Sequence, residues 1–295
     1  MSARVGSFAH LILILPSLGV LPLSAARESQ WNPQTGACAT CHEDVVKQFR
    51  PTAHGKGLEF GLKSLRCESC HVGAGKHAQS ADPEDVQSPG KLTGAQKNQN
   101  CLQCHAGDKH TLFWQGSSHE AANLNCLSCH SVHHSAGPKQ LAKKTETETC
   151  LACHVQVRKA MFQRSTHLYR DERGAGRIEC ATCHNPHGAP SEKLISANSV
   201  NEKCYQCHQE KRGPFLWEHG PVRENCMTCH SPHGSNNPQL LAMRMPQLCQ
   251  SCHMQGRHQT VAGRSTTLFT INRQCLNCHS QIHGTNHPSG VIMMR

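Results

Sequence analysis

Apolar residues are sparse along this chain, and only one stretch gathers them. Leu11 to Leu23 follows Arg4 and runs into the small residues Ser24, Ala25 and Ala26. A basic start, a short apolar run and a small-residue cleavage site predict a secretory leader over 1–26, with the mature chain beginning near Arg27. Pro16 and Pro22 interrupt the run, which is too short for a comfortable membrane span. No cysteine follows the cleavage site, so there is no lipoprotein attachment point, and no later segment approaches a span. In the mature chain the segments His42 to His54 and His154 to His167 have the length and composition of three helical turns. Pro-His-Gly phrases read as turns, and Ala78 to Asn100, polar and rich in Pro, Gly, Gln and Asp, reads as the longest loop. The expected fold is therefore short α-helices and many loops, with little β.

Such a chain lacks the means to build an ordinary core. Hydrophobic residues are 37% of the 295, a figure that includes 20 cysteines, and aromatics are only 4%. That much apolar surface does not offset the backbone entropy of folding, so another source of apolar surface is required.

The cysteines identify that source. Cys-x-x-Cys-His occurs ten times and uses every cysteine: Cys38/Cys41/His42, Cys67/Cys70/His71, Cys101/Cys104/His105, Cys126/Cys129/His130 and Cys150/Cys153/His154 in the first half. Cys180/Cys183/His184, Cys204/Cys207/His208, Cys226/Cys229/His230, Cys249/Cys252/His253 and Cys275/Cys278/His279 follow. Zinc ribbons, thioredoxin-like sites and disulfide halves also use CxxC, but none requires a histidine directly after it. Ten out of ten is the attachment signature of c-type haem: the thiols add across the two vinyl groups and the histidine is the proximal iron ligand. Ten covalent haems, with their iron, would form the core, and the polypeptide would wrap the stacked array. Without them the chain is expected to be largely unfolded. Attachment outside the cytoplasm agrees with the leader.

The motifs alternate. Odd-numbered motifs are followed by an aromatic and then a histidine, as in Phe49 to His54, Phe113 to His119, Phe162 to His167 and Phe215 to His219. Even-numbered motifs are followed closely by another histidine, as in Asn185-Pro186-His187-Gly188, Ser231-Pro232-His233-Gly234 and Gln281-Ile282-His283-Gly284. The unit is a dihaem module, and five are expected within one domain of 27–295: about 38–100, 101–149, 150–203, 204–248 and 249–295. Their unequal lengths suit variable loops around a stacked array.

Of 24 histidines, ten are proximal and His10 lies in the leader, which leaves thirteen. The alternation selects one distal ligand per iron: His54, His77, His119, one of His133 and His134, His167, His187, His219, His233, His258 and His283. Sequence does not say which distal histidine serves which haem, since a neighbouring module can supply it. His110, the other of the 133/134 pair, and His287 are left over. His258 lacks the aromatic–histidine phrase of its siblings. With two histidines on every iron no coordination site is open to substrate, so the expected chemistry is outer-sphere electron transfer rather than catalysis, at potentials below those of His/Met haems. Met161, Met227, Met243, Met245, Met254, Met293 and Met294 then read as packing against porphyrin faces. The formal charge of +10 does not point to nucleic acid. Propionates bring about −20 and ferric irons about +10, leaving the oxidised holo-protein near neutrality.

With these residues in view the chain resembles the decahaem cytochromes of the MtrA/DmsE type, from Cys38 to about Gly290. The resemblance rests on ten motifs with no other cysteine, the Ser/Thr-x-His and Pro-His-Gly phrases, and the ending Ile282-His283-Gly284-Thr285-Asn286-His287-Pro288-Ser289-Gly290. It implies an elongated haem wire with bis-histidine irons, held inside a separate outer-membrane β-barrel porin. Periplasmic or inner-membrane cytochromes would exchange electrons with one end, and an outer-surface multihaem cytochrome or reductase with the other. A wide barrel has a polar lumen able to hold such a plug. A free periplasmic carrier feeding a soluble reductase is the main alternative reading, and a multihaem reductase the third. The direction of electron flow is not written in the sequence.

Overall fold

The computed structural model describes residues 33–59, 65–167, 178–254 and 274–294. The expected leader and His258 lie outside these. Twelve short α-helices occur among the described residues: α1 (Pro33–Cys41), α2 (Glu43–Phe49), α3 (Ala53–Glu59), α4 (Ala74–Ser80), α5 (Gly94–His105), α6 (Ser118–Ala121), α7 (Glu146–Leu151), α8 (Val155–Met161), α9 (Cys180–Cys183), α10 (Val200–Tyr205), α11 (Gly220–Glu224) and α12 (Gln247–Gln250). Single 3-10 turns and loops join them, and β pairing is confined to isolated bridges. The expectation of helices and loops with little β holds.

Two details of the sequence reading are corrected. The helix expected from His42 to His54 is broken into α2 and α3 at Pro51, whose ring cannot continue an α-helix. The polar segment 78–100 is not one long loop. It holds the end of α4, two 3-10 turns and the start of α5. Thr93 opens α5 with a capping box: its backbone N–H donates to Gln96 Oε1 at 2.9 Å and its hydroxyl accepts from Gln96 N. Thr145 and Ser199 cap α7 and α10 in the same way, accepting from Glu148 N and Glu202 N at 3.0 and 3.1 Å. Each of these capped helices ends in an odd-numbered motif, so its cap fixes where a cysteine pair begins.

Little of the polypeptide is buried against itself. Val46, Leu92, Trp114, Leu141, Leu241 and Met293 are the buried apolar side chains among the described residues, and none is fully buried. Polar anchors replace packing inside each module. Asn98, on α5, accepts from Cys126 N at 2.9 Å and donates to Leu124 O. Asn201, on α10, accepts from Cys226 N at 2.8 Å and donates to Val222 O and Arg223 O. In the third module Glu146 accepts from Ala181 N at 2.5 Å. The helix that carries an odd motif thus holds the even motif beside it.

A second contact joins successive modules. Ser165 bridges Ser235, and Trp217 bridges Thr285, pairing an aromatic–histidine phrase with a histidine–glycine phrase from further along the chain. The glycine lies at the closest approach. A Cβ on Gly188 would stand 1.9 Å from Phe113 O, and one on Gly234 2.0 Å from Ala160 O. With φ of +119° and +155° both positions also favour glycine by backbone conformation.

Candidate functional site

Each motif is closed by one helical turn. The histidine N–H donates to the carbonyl of the first cysteine, from His42 to Cys38 O at 2.9 Å through His279 to Cys275 O at 2.9 Å. That turn places two sulfurs and one imidazole on the same side of a short segment, which explains the two-residue spacing.

Histidine rings then meet in pairs. His42 faces His77 with ring centroids 6.2 Å apart, His71 faces His133 at 5.7 Å, His105 faces His54 at 6.0 Å, and His130 faces His187 at 5.8 Å. His154 faces His119 at 6.1 Å, His184 faces His233 at 6.0 Å, His230 faces His283 at 6.2 Å, and His253 faces His219 at 6.1 Å. Two iron–nitrogen bonds of about 2.0 Å, each continued by about 1.1 Å to the ring centre, require roughly 6.2 Å. The separations fit a metalloporphyrin between each pair. His133 rather than His134 stands opposite His71. No ring contact pairs His134, His110 or His287 with a proximal histidine among the described residues.

The pairing crosses modules. An even motif takes its opposite ring from the next module: His133 follows motif four yet faces motif two, and His187, His233 and His283 repeat that step. An odd motif takes its ring from the previous module, as His54 serves His105, His119 serves His154, and His219 serves His253. His77, facing His42 within the first module, is the exception. The even pairs are nearly parallel, with interplanar angles of 16–26°. The odd pairs range from 19° to 85°.

A ligating imidazole must be neutral, with Nδ1 carrying the hydrogen so that Nε2 reaches the metal. Burial lowers the pKa of His54, His71, His133, His219, His233 and His283, with neighbouring histidines or Lys211 adding to it. Burial and then His130 bring His187 down to about 4. The Nδ1 hydrogens have acceptors. His130, His184 and His230 donate to Lys139 O, Lys193 O and Gln239 O at 2.9–3.0 Å, and His279 to Ile292 O at 2.6 Å. Among the opposite rings, His77 donates to Asp82 O at 2.8 Å, and His119 and His167 to Pro186 O and Pro232 O at 2.7 Å. His105 meets the Asp108 carboxylate at 2.6 Å. These acceptors fix ring orientation and raise ligand basicity. His219 differs, since its Nδ1 is buried without a partner.

The carbonyl acceptors were absent from the sequence reading. Those of His130, His184 and His230 lie nine residues on, in Pro138-Lys139-Gln140-Leu141, Glu192-Lys193-Leu194-Ile195 and Pro238-Gln239-Leu240-Leu241, and that of His279 lies thirteen residues on. Lys139, Lys193 and Gln239 have φ of 54°, 53° and 58°, which turns their carbonyls back to the ring. The recurrence of a Leu or Ile eleven residues after the histidine was the signal that could have found them.

The cysteines also form a series. Within modules, first cysteines touch. Contact with Cys126, Cys180 and Cys226 pushes up the thiols of Cys101, Cys150 and Cys204, and Cys126 and Cys226 fall to about 7. Burial and then the neighbours Cys38 and Cys275 raise Cys67 and Cys249 to about 11. Between modules, second cysteines lie close. Burial raises Cys70, Cys129, Cys183 and Cys229, and Cys104, Cys153, Cys207 and Cys252 add to it. First cysteines are thus in contact within each module, and second cysteines feel one another electrostatically across each module boundary.

Cys278 departs from this series. The second cysteines of the other even motifs, Cys70, Cys129, Cys183 and Cys229, are half-buried, whereas Cys278 is exposed. Each of the other four is within electrostatic reach of the second cysteine of the next motif along. In the odd motifs the second cysteines Cys41, Cys104, Cys153, Cys207 and Cys252 are all exposed.

Comparison with known proteins agrees with this chemistry. Residues 119–159, 174–213 and 219–258 match the doubled CXXCH motif family. The multiheme cytochrome MtrA of Shewanella baltica is 41% identical over 286 residues, covering 91% of this chain and 84% of that protein. The cytochrome c-type protein NrfB of Haemophilus influenzae is 26% identical over 41% of this chain and 65% of its own length. The high-molecular-weight cytochrome c of Nitratidesulfovibrio vulgaris is 25% identical over 55% of this chain and 24% of its own length. With ligand-bearing motifs along its length and a relative this similar over nearly all of it, the chain belongs to the MtrA-type multihaem c-type cytochromes, haem-binding electron carriers rather than enzymes.

Proposed function

We propose that the chain holds ten haems in five dihaem modules and conducts electrons from one end to the other across the outer membrane, seated in a separate β-barrel porin after export to the periplasm. The observation that carries this reading is the unbroken run of neighbouring cysteines from Cys38 to Cys275. Residues that anchor successive haems are neighbours, first cysteine touching first within a module and second cysteine within electrostatic reach of second between modules. Haem c, when bound, supplies the one-electron ferric/ferrous couple. The chain's own part is to fix each group by two sulfurs, to hold a neutral imidazole on either side, and to leave no iron site open.

The ten CxxCH histidines would be the proximal ligands. The opposite rings named above would be the distal ones, with His167 serving His208 by the same step between modules. His279 has no partner assigned by this pattern, and His258 is the candidate left for it. Periplasmic or inner-membrane cytochromes would meet one end and an outer-surface cytochrome or reductase the other.

Fractionation of the native host, with haem staining of the separated proteins, tests the conduit. Recovery in the outer-membrane fraction, bound to a β-barrel through detergent purification, is expected. Recovery wholly in the soluble periplasm without a barrel would overturn the conduit and leave a free carrier.

A further inference from the structure

Four phrases feed distal rings across modules to odd motifs, ending in His54, His119, His167 and His219; in two of them Nδ1 donates to a carbonyl, while His54 Nδ1 meets only the Gln140 amide nitrogen at 3.5 Å and His219 Nδ1 is buried without a partner. Ser165 lies two residues before His167 and bridges Ser235, two after His233. Trp217 stands in the same register to His219, and Thr285 to His283. The upstream anchor repeats too: Asn185 N, Ser231 N and Gln281 N donate to Leu194 O, Leu240 O and Met293 O at 2.7–3.0 Å. Pro186 O and Pro232 O accept from the Nδ1 of His119 and His167 at 2.7 Å. The carbonyl in the equivalent place belongs to Ile282, and His219 Nδ1 makes no bond to it or to any other group.

Protein atoms already cover this nitrogen, so neither water nor a haem propionate reaches it. A histidine whose Nδ1–H donates to a carbonyl is the more basic ligand and stabilises ferric iron. One without that bond donates less and favours the ferrous state.

We infer that the haem held by Cys249, Cys252, His253 and His219 has the most positive potential of the three whose distal rings are His119, His167 and His219, so that of these three it is the one reduced first. The inference rests on the reading of His219 and His253 as an axial pair.

The test is potentiometric titration of the full holo-protein, following the haem α-band. In His219→Met, a methionine-to-iron charge-transfer band should appear. One haem's share, about a tenth of the amplitude, should leave the positive part of the wild-type curve and move further positive. His119→Met and His167→Met should each remove their share from more negative positions. Loss of the His219 share from a position as negative as theirs overturns the inference. A His219→Met spectrum unchanged from wild type overturns the axial pairing itself, and is recognised by the missing charge-transfer band.

Ile282→Pro gives a second measurement that leaves every ligand in place, since it installs the residue that the two bonded copies carry. It should move one haem's share of the amplitude in the negative direction. A superimposable curve overturns the role of the missing bond.

Discussion

Replacing Gly188 by alanine tests the contact that joins one module to the next. The new Cβ would lie 1.9 Å from Phe113 O, 2.4 Å from Phe113 C and 2.8 Å from Phe113 Cβ. All three are parts of one residue's backbone and root, so no rotamer change relieves the clash. The φ of +119° adds about 1–3 kcal/mol of backbone strain for a residue with a Cβ. Relief requires the two phrases to separate by more than an ångström, which breaks the 2.7 Å bond from His119 to Pro186 O. That bond is worth about 1 kcal/mol. The expected destabilisation is about 2–4 kcal/mol, a large share of the roughly 5–15 kcal/mol that holds a domain folded. Separation also draws His187 away from His130, now 5.8 Å from it, so the variant should gain a high-spin signal equivalent to one haem. The assay is guanidinium unfolding followed by Soret absorbance, with Gly107→Ala as control, because nothing lies within 4 Å of a Cβ at Gly107. If Gly188→Ala unfolds at the same denaturant concentration as Gly107→Ala and remains wholly low-spin, the interlocking of modules through this glycine is wrong.

Three further outcomes follow from the same geometry. His133→Ala should yield one high-spin haem by magnetic circular dichroism while His134→Ala stays fully low-spin; the reverse result would assign the second motif's distal ring to His134. Asn201→Ala strands the part-buried Cys226 N–H and two carbonyls, at a cost of about 1–3 kcal/mol, measured as a lower unfolding midpoint with the wild-type haem content retained. An unchanged midpoint would refute the anchor. Stability should also fall as pH drops from about 6.5 to about 4. Across that window the unfolded chain binds protons that buried rings refuse, His187 foremost with its pKa near 4, so stability rises with pH there. Unfolding midpoints taken at pH 7, 5.5 and 4.5 check it, and a flat series would contradict the burial of these rings.

What the sequence disclosed and what it withheld divide by distance along the chain. Cys-x-x-Cys-His is legible because the chemistry is local: one turn, closed by a bond such as His71 N to Cys67 O, carries sulfurs and ring together. The alternation of phrases was legible for the same reason. Which ring opposes which was not, since His54 and His105 stand 51 positions apart and are brought together by contacts between modules. The exposure of Cys278 was hidden in the same way, because its motif reads like the other nine and differs only in what lies against it. The choice of His133 over His134 turns on which of two adjacent side chains faces His71, and nothing in the local pattern separates them. The helix expected after His42 was misjudged by giving composition more weight than Pro51. The loop expected over 78–100 was misjudged by overlooking the capping box of Thr93 and Gln96.

The exchange of rings between modules bears on how the array holds together. Each proposed haem would be fixed to one module by covalent bonds and to its neighbour by a coordinate bond. With almost no apolar side chain buried against another, the polypeptide has little independent means of keeping modules in line. Crossing supplies it: separating modules three and four would break the opposition of His184 to His233 and the bond from His167 to Pro232 O. His77 breaks the pattern for a geometric reason, because the first motif has no upstream module to supply its ring. Its Nδ1 is held instead by Asp82 O within the same module, so the series can begin without a neighbour. A terminal unit that completes itself and inner units that complete one another are what a linear array of fixed length requires, and they make the inner spacing between anchoring cysteines a property of the whole chain rather than of any one motif.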